Sequence, residues 1–130
     1  MAIKRVNVAN GTFVLNSADT YVLGDASDGL VGTFAVHFVD DNTFSGSVSV
    51  KARSRAISNG ASTPAFLAIP YLPLNLNGSA GTYGTGVTTA ITTNSIILVP
   101  ASGLEIALDC TSYTSGSATV YVTPVVGAAA

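Results

Sequence analysis

Residues 43–57 read TFSGSVSVKARSRAI, and their two-residue rhythm decides the fold. Phe44, Gly46, Val48, Val50, Ala52, Ser54 and Ala56 fall on one side of the alternation. Thr43, Ser45, Ser47, Ser49, Lys51, Arg53 and Arg55 fall on the other. Successive side chains of a strand point to opposite faces, so the stretch reads as one long strand with a buried face and a wet face. A helix would scatter the same residues around its circumference. The wet face gathers three of the five Lys and Arg residues of the chain.

The preceding residues, 30–39, alternate in the same way. Phe34, Val36 and Phe38 share one side; Thr33, Ala35 and His37 share the other. Asp40-Asp41-Asn42 between the two runs predicts a three-residue hairpin loop, with Asn42 in the left-handed position. That hairpin would pair Phe38 with Phe44 and Phe34 with Val48. Upstream, residues 3–8 read as a short strand, turned by Asn10-Gly11 into a return strand at 12–15. A strand at 20–23 and a polar loop at 24–29 (GDASDG) follow.

Downstream of a loop at 58–64, residues 65–76 (AFLAIPYLPLNL) are apolar but contain Pro70 and Pro73. Proline lacks the ladder donor, which predicts an edge strand or one bent from sheet to sheet. Residues 77–86 are glycine-rich and read as an extended loop. Further strands are expected at 87–91, 94–99, 104–110 and 118–123. In the third of these, Leu104, Ile106, Leu108 and Cys110 alternate with Glu105, Ala107 and Asp109. The Ala-rich tail at about 126–130 reads as frayed unless it docks. Roughly eight to ten short strands, turn signals every 8–12 residues and no convincing helix predict one all-β domain over residues 1–130. Its architecture is expected to be an antiparallel β-sandwich, jelly-roll-like, with a short N-terminal arm.

Composition narrows the function. Only 9% of the 130 residues are charged, against roughly 25% in a typical soluble domain. Mean hydropathy is +0.50. A surface this poor in charge favours burial against copies of itself or a partner. A formal net charge of -2 disfavours wholesale nucleic-acid binding. No apolar run approaches the roughly 18 residues of a membrane span. The opening MAIKRVNVANGTF has a basic pair but no apolar h-region, so no signal peptide is expected and synthesis in a cytoplasm is. One cysteine excludes an internal disulfide.

Catalytic constellations do not emerge. His37 is the single histidine and has no second histidine or cysteine pair to join it, so it reads as a half-exposed strand residue. Cys110 falls on the apolar side of its strand and reads as a buried thiol. Asp25, Asp28, Asp40 and Asp41 lie in two loops and read as turn-formers; GDASDG lacks the ligand alternation and terminal Glu of an EF-hand. Asp19, Glu105 and Asp109 complete the carboxylates, and no spacing singles out a glycosidase pair. There is no P-loop, dinucleotide fingerprint or G-x-S-x-G elbow. The reading is therefore a non-enzyme with no cofactor and no metal. Lys51, Arg53 and Arg55 are the one constellation above background: three cations spaced about 7 Å apart along one strand face. They read either as a solvated edge that resists strand addition or as a protein-contact strip.

The run VPASGLEIALDCTSYTSGSATVYVTPV, about a fifth of the chain, resembles the small all-β structural proteins of tailed bacteriophages. The residues carrying the resemblance are Leu104, Ile106, Leu108, Asp109, Tyr113, Ser115, Gly116 and 118–122. The resemblance implies a virion component of head-decoration or cement type. Such a protein would form a homo-oligomer, dimer or trimer, and contact the major capsid protein, with no membrane or nucleic-acid partner. The alternative is a tail- or fibre-associated carbohydrate-binding module with Tyr83 and Tyr113 as its sugar platform.

Overall fold

A computed structural model of the chain describes residues 2–8, 11–41, 43–54, 64–81 and 84–123. In chain order the strands are β1 (Ile3–Arg5), β2 (Thr12–Leu15), β3 (Thr20–Gly24), β4 (Thr33–Asp40), β5 (Ser45–Arg53), β6 (Leu67–Ala68), β7 (Leu72–Leu76), β8 (Ser79–Ala80), β9 (Ser95–Pro100), β10 (Glu105–Ser115) and β11 (Ala118–Thr123). One turn of 3-10 helix, Ala26–Asp28, lies between β3 and β4. A five-stranded sheet has the order β1-β3-β10-β5-β6 and a six-stranded sheet the order β2-β11-β4-β9-β7-β8. Among the described residues every strand pairing is antiparallel except β1 on β3.

The alternation in the sequence becomes the division between core and surface. Val48, Val50, Ala52, Ile106, Leu108 and Cys110 of the five-stranded sheet join Phe34, Val36, Phe38, Ile97, Val99 and Val120 of the six-stranded sheet in one buried cluster. This is a β-sandwich, with two sheets pooling their apolar faces. Its sheets hold five and six strands, whereas a jelly roll is wound from eight in two Greek keys. The strand order does not establish that winding.

The expected hairpin of residues 30–39 with 43–57 does not form. β4 pairs with β11 and β9, while β5 pairs with β10 and β6. The segment after Asp40 therefore carries the chain across the core from one sheet to the other. Local side chains satisfy the backbone where it leaves the ladder. The Asp40 carboxylate accepts the Phe44 N–H at 3.1 Å and the Thr93 hydroxyl at 3.2 Å, and the Asn94 side chain accepts the Asp40 N–H at 2.7 Å. Asn42 lies outside the described residues. Phe38 and Phe44 still meet, edge to face with ring centroids 5.4 Å apart, but across the core rather than within a sheet. Phe34 sits opposite Val99, and Val48 opposite Cys110.

The expected N-terminal hairpin also gives way. β1 runs parallel to β3, and β2 pairs with β11 in the other sheet. Asn77-Gly78, read as part of a loop, is the pair that closes a two-residue hairpin, β7–β8. Both residues have positive φ (52° and 80°), which that turn requires. The proline-containing segment divides between the sheets as expected, with β6 on one and β7 on the other. The strand expected at 87–91 reduces to isolated bridges at Val87 and Ile91.

Candidate interaction surfaces

The outer face of the five-stranded sheet carries the cationic row. Register sets Arg53 opposite Glu105 and Lys51 opposite Ala107, with Asp109 one pair further along, opposite Ser49. The cations turn to these carboxylates. Lys51 Nζ lies 2.6 Å from Asp109 Oδ2, and Arg53 Nε lies 2.6 Å from Glu105 Oε1. Arg53 also stacks its guanidinium over the Phe66 ring at 4.0 Å, a geometry worth a fraction of a kcal/mol or more. The other Glu105 oxygen takes Arg5 of β1 at 3.2 Å, and the other Asp109 oxygen accepts the Thr20 hydroxyl at 3.1 Å. Beneath these pairs Ala107 and Val22, opposite one another, are buried. The face is thus an apolar floor roofed by neutralised charge, as long cationic side chains with apolar stems permit. Lys51 and Arg53 keep 24% and 18% of their side-chain surface exposed. Arg55 lies outside the described residues.

The two remaining cations belong to β1. Lys4 Nζ is 3.1 Å from Asp19 Oδ2, and Arg5 also approaches Asp28 at 3.7 Å. Asp19 is held at about 2, chiefly by the Ser17 hydroxyl, then by the Ala2 N–H and Lys4. The hydrogen bond from Lys4 to Asp19 raises the ammonium above its ordinary value.

The loop aspartates serve turns. Asp25 accepts the Ser27 N–H at 2.9 Å and the Ser27 hydroxyl at 2.6 Å, while Asp28 accepts the Asp25 N–H at 3.0 Å, a reciprocal cap on the 3-10 turn. Asp41 accepts the Ser117 and Thr43 hydroxyls, and these bonds lower its pKa. Among the described residues no group of three or more His, Cys, Asp or Glu is placed to hold a metal ion. Cys110 is fully buried, and desolvation, with Asp109 and Asp19 nearby, pushes its thiol up to about 11. Tyr113 donates to the Gly116 carbonyl at 2.7 Å and tilts its ring against Phe44. Tyr83 lies outside the described residues.

The outer face of the six-stranded sheet is chemically different. Register lines up Val14 with Thr119, Thr12 with Tyr121, Tyr121 with His37, His37 with Ile96, and Ala35 with Leu98. The cross-strand rows Thr12–Tyr121–His37–Ile96 and Val14–Thr119–Val39 contain no Asp, Glu, Lys or Arg. Val14 is 51% exposed and Tyr121 46%, the latter with its ring 6.0 Å from that of His37. At one end an open apolar hollow of about 180 Å³ is lined by Thr33, Leu72, Leu98 and Pro100, with buried Tyr71 beneath. The Tyr71 hydroxyl donates to the Thr89 carbonyl, and burial pushes it up to about 12.

Comparison of the chain with protein-family models, with curated proteins and with solved structures returns no match.

Reading the strands singly missed two things. Glu105 and Asp109, four residues apart, fall on one side of their strand's alternation, as Lys51 and Arg53 do on theirs, and those two polar sides of opposite sign were the available signal that the two strands pair. The uncharged face was hidden because its rows are assembled from β2, β11, β4 and β9, which are distant in sequence.

Proposed function

We propose that this chain is a non-enzymatic structural protein of a virion, of decoration or cement type, which self-associates and covers part of a capsid lattice. The observation that carries the reading is the uncharged outer face of the six-stranded sheet, with Val14, Tyr121, His37 and Ile96 across four strands. An exposed sheet face without charge desolvates at little cost, and each Å² of apolar surface it buries contributes roughly 25 cal/mol before association costs. Arg5, Lys51 and Arg53 sit instead on the five-stranded sheet and are met there by Glu105 and Asp109. The Lys51, Arg53, Arg55 row enters this reading as a polar contact strip whose first two cations arrive already paired. On a repeating lattice, many weak contacts of this kind gain through avidity. The phage resemblance of residues 99–125 and the low charge of the whole chain support the same role.

Sedimentation velocity at rising concentration, together with co-sedimentation on capsid shells lacking this protein, tests the reading. Concentration-dependent oligomers and saturable shell binding are expected, and Ile96→Lys with Tyr121→Lys should abolish both. A strictly monomeric protein that leaves shells bare would refute it.

A further inference from the structure

We propose that the β3 edge is an acceptor for a cationic extended segment, and that besides the chain's own Ile3–Arg5 it takes the same segment of a second copy. β3 is buried at all five positions, whereas the three residues of β1 that cover its edge are all exposed, Ile3 by 61%. Hydrophobic burial therefore does not hold Ile3–Arg5 themselves in place; the apolar anchors, Val6 and Val8, follow them in the chain. Hydrogen bonds and charge hold Ile3–Arg5. Thr20 N–H donates to the Ala2 carbonyl at 2.9 Å and Val6 N–H to the Val22 carbonyl at 3.0 Å, a parallel ladder along the edge. Three carboxylates from three different elements each take a cation from β1: Asp19 takes Lys4, Asp28 takes Arg5, and Glu105 of β10, on the far side of β3, also takes Arg5.

Half of each of these cationic side chains is open to water, 48% for Lys4 and 53% for Arg5. Exposed ion pairs contribute little and are screened by salt, so β1 opens at low cost compared with the core strands. An open β3 presents unpaired backbone groups, which is the standing invitation to strand addition. These carboxylates select what can answer. A matching segment needs two adjacent cations on an extended backbone, and Lys4-Arg5 is the only such adjacent pair in the chain. A second copy offers the identical segment, so exchange replaces every lost contact with an equivalent one.

The test mixes two full-length variants, one carrying Ile3→Cys and the other Thr20→Cys, residues that face each other across the β1–β3 pair. Under mild oxidation a disulfide-linked heterodimer is expected on a non-reducing gel. It should form severalfold faster at about 0.5 M than at about 20 mM salt, because screening opens the resident arm. An Ile3→Cys variant mixed with a Ser49→Cys variant should give none. If no heterodimer forms at either salt concentration, or the control gives as much, the inference is overturned. Hydrogen exchange on the unmodified protein provides a second, independent readout. The Thr20 and Val6 amides should lose protection with salt while the paired amides of β5 and β10 keep theirs; equal protection at high salt would also overturn the inference. Shell binding that persists without exchange would leave the proposed virion role standing and remove only this inference.

Discussion

The two outer faces of the sandwich are made from the same kind of alternating strand and have opposite chemistry. On the five-stranded sheet Lys51, Arg53 and Arg5 meet Glu105 and Asp109 at 2.6 to 3.2 Å, and the apolar residues below are sealed. On the six-stranded sheet the rows through Tyr121 and Val14 hold no Asp, Glu, Lys or Arg. The difference teaches that charged side chains in this protein close a surface. The face left without them is the one that carries the proposed contacts.

The largest expected effect lies where the chain passes between the faces. Gly116 has φ 80°, and a Cβ there would press into the Thr43 carbonyl at the crossing from β4 to β5. Gly116→Ala should cost about 3 kcal/mol or more, from left-handed strain plus a backbone clash, read as a lowered urea midpoint. An unchanged midpoint would mean that the crossing yields freely, and the two faces would no longer be rigidly opposed.

Next comes the charged face. Glu105→Ala leaves Arg53 and Arg5 without their shared carboxylate. It should destabilise by about 2–3 kcal/mol, less than a fully buried pair because both arginines reach water. Tyr121→Ser on the uncharged face should stay within about 0.5 kcal/mol as a monomer while weakening association. Equal losses in chemical denaturation would erase the contrast between the faces.

A pH series sharpens the contrast at its margin. Asp19 falls from an ordinary 3.8 to about 2 in the folded chain. Its contribution is therefore complete above about pH 4 and lost as the pH falls through about 2. Exchange protection of the Thr20 and Val6 amides should fade across that window, and Asp19→Asn should remove the pH dependence. The raised Lys4 works in the opposite sense: its contribution is complete below 10.5 and lost as the pH rises through its folded value. The smallest effect is expected from Cys110. Its thiol, pushed up to about 11 and buried, should resist alkylation at neutral pH until the protein unfolds.

How much was legible in the sequence depended on the range of the interaction. Period-two patterning identified the inward faces of β4, β5, β10 and β11, because burial acts on each strand separately. The identity of strand neighbours was not legible. Asn10-Gly11 and Asp40-Asp41-Asn42 carry hairpin signals, yet the chain changes sheets at both places. Asn77-Gly78, in a segment that looked too glycine-rich for pairing, closes a tight hairpin. A turn sequence permits a hairpin, but what each flanking strand can pair with in the assembled sheet decides whether one forms.

The sequence by itself determined that this chain is a sandwich of strands, poor in charge, with Lys51 and Arg53 on an outer face and Cys110 within. Those properties follow from side-chain alternation and composition, which are local. Only the tertiary structure decided that the cations would be met by Glu105 and Asp109, that Phe38 and Phe44 would touch across the core, and that an uncharged face would assemble from β2, β11, β4 and β9. Each of these depends on which distant strands lie side by side, a choice made by the packing of the whole core.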